Sequence, residues 1–171
     1  MHAERLRLRQ GSQERLHKEL CGLLVGRNAV RVMDEFFDVL CVILPELAPL
    51  RGFEQYNPHH RSDVWQHTLR VVEGVPAQEP LRLAALLHDV AKPDTFCFDK
   101  NLVGHFPGHD IAGAAVAERI LKRLRCDSRT VREVTELIRQ HMRPLQPVTE
   151  RSMRRLLAAL GPEQTRRLLL L

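Results

Sequence analysis

Aromatic side chains are scarce in this 171-residue sequence: they make up 5% of it, with one tryptophan and one tyrosine. A core of useful size must therefore be mostly leucine, valine and alanine, within an apolar share of 44%. Cysteine is sparse as well. Its four copies, Cys21, Cys41, Cys97 and Cys126, stand far apart with no Cys-x-x-Cys pair. Neither a cysteine zinc site nor a disulfide-stapled scaffold is expected from that spacing, and the thiols read as reduced and mostly buried. Long apolar runs are absent. The longest, 39–44, stops at Pro45, and 1–10 carries four charges and no apolar stretch. No signal peptide or membrane span is expected, and the chain is expected in the cytoplasm. An acidic excess is missing too, with 26 lysines and arginines against 21 acidic residues, a net charge of +5 and a pI near 9.4. That balance suits a surface meeting phosphate or nucleic acid, and equally a set of well-solvated arginine-rich helices.

What is present is helical periodicity. The length suits one domain, or one domain with a helical arm. Ser12 is placed to cap a helix over 13–25 that has Leu16, Leu20, Leu23 and Leu24 on one stripe and Gly26 as its stop. Asn28 is placed to cap a second, with Val32, Phe36, Val39, Leu40 and Ile43 inward before Pro45 ends it. These two are expected to form a lead-in rather than a second large domain. Ser62 is placed to cap a third helix to about Glu73, carrying Trp65 as a core residue and His67 beside the stripe of Val64, Thr68, Val71 and Val72. Pro80 opens a fourth helix, apolar nearly all round and hence central, which delivers His88 and Asp89 at its end. The alternation in 95–106 about Asp99, Lys100 and Asn101 predicts a small β-hairpin. Helical pattern then returns with Ile111, Ala114, Ala115, Ala117 and Ile120. It continues with Val131, Val134, Leu137 and Ile138 leading to His141, and with Leu156, Leu157 and Leu160 before Gly161. The fold class expected is an all-α helical bundle with one small hairpin.

Six of the nine histidines fall in 57–109. Buried imidazoles and carboxylates on apolar helices each need a partner, and a shared metal ion is an economical one. Composition alone supplies about 0.4 His-Asp pairs, and a second pair exists at His109-Asp110, so the bare dipeptide says little. The setting of His88-Asp89 says more: an upstream helix with His67, a turn, a buried helix, then the doublet and Lys92. Nitrogen and oxygen donors suit a divalent ion such as Mn, Fe, Co, Ni, Zn or Mg. Such an ion acidifies water and polarises a phosphoryl oxygen. Lys92 is placed either to meet phosphate charge or to sit solvated at a helix C-terminus.

These residues carry a resemblance. The stretches Asp63-Val64-Trp65-Gln66-His67, Leu87-His88-Asp89-Val90-Ala91-Lys92-Pro93, Gly104-His105-Phe106-Pro107-Gly108-His109 and Gln140-His141 resemble the HD domain. More narrowly, they resemble the version in bacterial tRNA nucleotidyltransferases, the CCA-adding and poly(A) polymerase family. The resemblance divides the chain into 1–56, similar to the RNA-contacting helical body of those enzymes, and 57–171, the HD domain. It implies that His67, His88 and Asp89 ligate a metal and that His109 and His141 hold a second ion; Asp89 and Lys92 are the residues expected to take part in catalysis. His105 is expected in a hydrogen-bonding role, and His59 and His60 at the substrate entrance or in an exposed loop. Two departures stand out. No Asp-x-Asp of the nucleotidyltransferase head occurs, so the chain is not expected to add nucleotides by itself. The distal aspartate that completes HD sites is expected beyond 161–171, so the HD domain reads as truncated and its metal site as incomplete.

Two functions follow as expectations. The first is a metal-dependent phosphohydrolase acting on phosphomonoesters or cyclic phosphodiesters of nucleotides or RNA ends. The second is a non-catalytic module binding tRNA or other RNA, or a scaffold, through Arg119, Arg123, Arg132, Arg139, Arg143, Arg151, Arg154 and Arg155, with a vestigial HD site.

Overall fold

In a computed structural model of the chain, residues 12–56, 62–144 and 149–171 are described. Their regular structure is nine α-helices, one 3-10 helix and one two-stranded antiparallel sheet. The helices are α1 Gln13–Val25, α2 Ala29–Glu35, α3 Phe37–Ile43, α4 Val64–Gly74, α5 Glu79–Leu87, α6 Lys92–Thr95, α7 His109–Arg123, α8 Ser128–Gln140 and α9 Glu150–Leu170, with the 3-10 helix at Pro45–Leu50. Strands β1 Cys97–Phe98 and β2 Gly104–His105 pair as the expected hairpin. Among the described residues no helix is long and apolar enough to cross a membrane.

Helix α5 is the axis of the bundle. Leu81 and every residue from Leu83 to Leu87 are buried, and α1, α4 and α8 all pack on it. The largest helix interface is α7 on α8, with α6 against α7 and α9 against α8. Gly113 lets α7 come close, since a Cβ there would meet the His88 carbonyl oxygen at 3.3 Å. The lead-in shares this core: Leu20, Leu24, Met33, Phe37 and Leu40 belong to the same apolar cluster as α5 and α8. Trp65 is fully buried, and its indole N–H donates to Asp34 Oδ1 at 2.9 Å, tying α4 to α2.

Several local expectations are corrected. The second helix is two: the chain breaks at Phe36, with φ −107° and ψ 30°, and Asn28 makes no side-chain cap bond. The break turns Phe36 outward, 52% exposed, and puts Phe37 inward instead. Asp63, not Ser62, caps α4, accepting from the Gln66 N–H at 2.7 Å. Ile111, expected inward, is 64% exposed in the first turn of α7. Cys97 is exposed, not buried. In α9, Gly161 adopts φ 75° and ψ 167°, a backbone state suited to glycine, so the helix kinks before Pro162.

Five of the eight aromatic residues gather at one place. Phe53, Tyr56, Phe96, Phe98 and Phe106 contact one another around the hairpin, with ring centroids 4.8 to 5.9 Å apart. Scarce rings are thus spent on the short, non-helical part of the fold, where aliphatic helix packing is unavailable as glue.

Candidate metal centre

The ends of α5 and α8, the start of α7 and the middle of α4 meet at Asp89. Its carboxylate is 1% exposed, and each oxygen faces a pair of imidazoles. Oδ2 lies 3.0 Å from His88 Nε2 and 3.4 Å from His67 Nε2. Oδ1 lies 3.6 Å from His109 Nε2 and 3.9 Å from His141 Nε2. Within each pair the Nε2 atoms approach closely, 3.3 Å for His67 and His88 and 3.2 Å for His109 and His141.

The far sides of three rings fix their protonation. His88, His109 and His141 each donate from Nδ1–H to the carbonyl three residues earlier, Ala85, Phe106 and Ile138, at 2.8, 2.7 and 2.6 Å. A carbonyl only accepts, so the proton of the neutral ring sits on Nδ1 and Nε2 presents a lone pair. Lone pairs facing one another beside a buried carboxylate repel unless a cation stands among them. Asp89 Oδ2 is fully buried among these groups. Two nitrogens on one tetrahedral zinc at usual bond lengths lie roughly 3.3 Å apart, which the observed pairs match. The donor set therefore fits one or two divalent ions, with Asp89 shared between the halves.

One positive charge is already provided. Lys92 Nζ lies 2.8 Å from Asp89 Oδ2, donates to Gln55 Oε1 at 2.8 Å and stands 5.0 Å from the Phe106 ring. The lysine is 5% exposed, so the expectation of a solvated helix-end charge does not hold. Burial would raise the Asp89 carboxyl, but His88 and Lys92 beside it outweigh burial and hold it well below the usual carboxylate range. Burial and repulsion from His88 push His141 down to about 4.

Gln55 has no signal in the sequence, since it lies in an extended segment without periodicity. Its position follows from Gly104: a Cβ there would meet the Gln55 carbonyl oxygen at 2.2 Å, and the Gly104 N–H donates to the Tyr56 carbonyl at 2.8 Å. The hairpin thus presses the 53–56 segment inward. His105 stands apart, 52% exposed and 3.3 Å from Asp99 Oδ2. His59 and His60 lie outside the described residues.

The arginines fall into two groups. Arg123 pairs with Glu46, Arg139 with Glu136 and Arg154 with Glu150. Among the described residues Arg119, Arg132, Arg143, Arg151 and Arg155 make no salt bridge, and all five are exposed. Arg139, Arg143 and Arg155 line a cleft of about 610 Å³ between α7, α8 and α9, whose walls include Asp110, Gln140 and Met142, chain neighbours of His109 and His141.

A profile of the HD domain matches residues 59–169, well over half of the sequence. The chain belongs to the HD domain family. Within that family this HD domain is similar to the CC-adding tRNA nucleotidyltransferase of Thermus thermophilus, 40% identical over 154 residues, covering 84% of this chain and 35% of the relative. It is similar also to the A-adding tRNA nucleotidyltransferase of Deinococcus radiodurans, 36% identical over 137 residues, covering 75% and 31%. A multifunctional CCA protein of Azoarcus sp. is 33% identical over 118 residues, covering 66% and 28%. The chain spans about a third of the length of these curated relatives.

Proposed function

We propose that this HD domain is a metal-dependent phosphohydrolase acting on phosphomonoesters or cyclic phosphodiesters of nucleotides or RNA ends, as a module of a cytoplasmic tRNA nucleotidyltransferase-like protein with a helical lead-in over 1–56. The observation that carries it is the convergence of four imidazole Nε2 atoms on the two oxygens of one buried carboxylate. His67, His88 and Asp89 would hold one divalent ion, and His109 and His141, again with Asp89, a second; Mn, Fe, Co, Ni, Zn and Mg are the candidates. A bound ion of this class supplies Lewis acidity, polarising a phosphoryl oxygen and lowering the pKa of water. The chain's own groups do the rest. Asp89 orients both halves, and Lys92, held by Gln55, keeps a fixed positive charge where phosphate charge must be met. His67, with a side chain 25% exposed against 6 to 8% for the other three, marks the solvent side from which an ester arrives.

The test is hydrolysis of a 2′,3′-cyclic nucleotide and an aryl phosphate with added Mn, Ni or Zn. A loss on the order of 100-fold or more is expected in His88→Ala and in Asp89→Ala; full activity surviving in both would sink the proposal.

A second reading has its own observation. Arg119, Arg132, Arg143, Arg151 and Arg155, which make no salt bridge among the described residues, with Arg139 on the same cleft as two of them, favour binding to an RNA backbone, with Arg123 and Arg154 in reserve through their glutamates. Contact of this kind must weaken steeply as salt rises. A tRNA-like hairpin showing no salt-sensitive binding at low ionic strength would remove it.

A further inference from the structure

Away from Asp89, a second group of ligand-type side chains meets where α1 lies against the start of α5. His17 and Cys21, four residues apart, share one face of α1, and Glu79 is the first residue of α5. One nitrogen, one sulfur and one oxygen from the three lie within 4.8 Å of one another. His17 Nε2 is 3.2 Å from Glu79 Oε1. Cys21 is 8% exposed, while the His17 and Glu79 side chains are 19% and 41% exposed, so the sulfur is sheltered and the other two donors leave a way in.

We propose that His17, Cys21 and Glu79 form a second cation site, selective for zinc-like borderline ions, that pins the lead-in helix α1 to the central helix α5. Three properties of the cluster support it. The donor set is imidazole, thiolate and carboxylate, which zinc and cobalt accept at nearly equal cost and which magnesium or calcium refuse because of the sulfur. The charges close: binding displaces the Cys21 thiol proton to solvent, and one thiolate and one carboxylate then neutralise a divalent ion, as a half-buried site requires. The elements are already docked, because Leu20 and Leu24 of α1 belong to the core that surrounds α5, so little ordering is left for the ion to impose. The wide spacing of the cysteines argued against a cysteine zinc site of the usual pattern; this one uses a single thiol and draws its carboxylate from 58 residues further along the chain.

The same ion can also bind at Asp89, so the decisive readout must report sulfur. Cobalt(II) titrated into the full chain is expected to give a thiolate-to-cobalt charge-transfer band in the near ultraviolet, with the final intensity of a single thiolate and bleached by zinc. The Asp89 centre offers only nitrogen and oxygen and cannot produce it. The band should vanish in Cys21→Ser, require at least about tenfold more cobalt in His17→Ala, and persist unchanged in Cys97→Ser. His17 is partly exposed on a helix, so His17→Ala reports ligation even if Cys21→Ser folds poorly. Absence of the band in the wild type, or its survival in a folded Cys21→Ser, would overturn the proposal.

Discussion

The two halves of the Asp89 centre share a carboxylate and little else. The His67 and His88 half comes from α4 and the end of α5, has one partly open ring, and carries its own cation in Lys92, braced by Gln55. The His109 and His141 half comes from α7 and the end of α8, and both rings are nearly covered and tied back to the carbonyl three residues earlier. One half is open and has Lys92 beside it; the other is closed around His109 and His141. The difference teaches that an apparent cluster of six donors is two devices with a common hinge oxygen pair, and variants can separate them.

The largest effect should come from removing what the halves share. Asp89→Ala leaves Lys92 buried without its carboxylate, which costs about 3–5 kcal/mol, and should abolish metal uptake at both halves. Chemical denaturation and elemental analysis of the purified protein read both consequences, and a variant as stable and as metal-loaded as the wild type would refute the sharing. Next, with the His17 site disabled by Cys21→Ser, His67→Ala and His141→Ala should each reduce two bound equivalents to one. Uptake that falls to none in either variant would show a single ion spanning both halves.

A pH series probes the closed half alone. In the metal-free protein His141 is held at about 4 against an ordinary 6.5, so the unfolded chain takes the proton first as pH falls. Stability from this group is complete above about 6.5 and is lost on going down toward 4, by roughly 3 kcal/mol at the lower end. His141→Gln should flatten that part of the urea-midpoint profile; an unchanged slope would assign it to other groups.

Smaller effects belong to the open half. Gly104→Ala forces a methyl against the Gln55 carbonyl, costing about 1–3 kcal/mol, and should loosen the brace on Lys92 without touching His109 or His141. Nitrogen NMR of the lysine ammonium is the check, with slow exchange expected in the wild type and faster exchange in the variant. Smallest is Asp63→Ala, about 1 kcal/mol for loss of the α4 cap, with a modest drop in affinity at His67. A drop as large at the closed half would mean the halves are not separable.

Much of this arrangement is legible in the sequence because its donors sit on helices or at their ends. Periodicity locates α5 as buried and His88, Asp89 and His141 at helix C-termini, and turn chemistry locates the hairpin. What escapes is anything set by contact across the fold. Gln55 lies in a segment with no period, and its role depends on a glycine 49 residues away. The break at Phe36 lies inside an apolar run that permits either of two neighbouring residues to face inward, and packing on α4 decides for Phe37. Lys92 is ambiguous in sequence because a lysine after a helix is usually solvated; only the neighbouring carboxylate and Phe106 reveal that it is enclosed. His17 and Cys21 display their helical spacing, but nothing in it announces Glu79.

The short tethers from Nδ1 to the carbonyl three residues back have a consequence for how such a centre comes into being. Each of His88, His109 and His141 is aimed by its own turn of chain, so every donor is a self-contained cartridge whose orientation and proton placement are settled locally as its helix end forms. Assembly then reduces to bringing helix ends to one point. A lineage can lengthen, shorten or reroute the loops between them without retuning the rings of His88, His109 or His141.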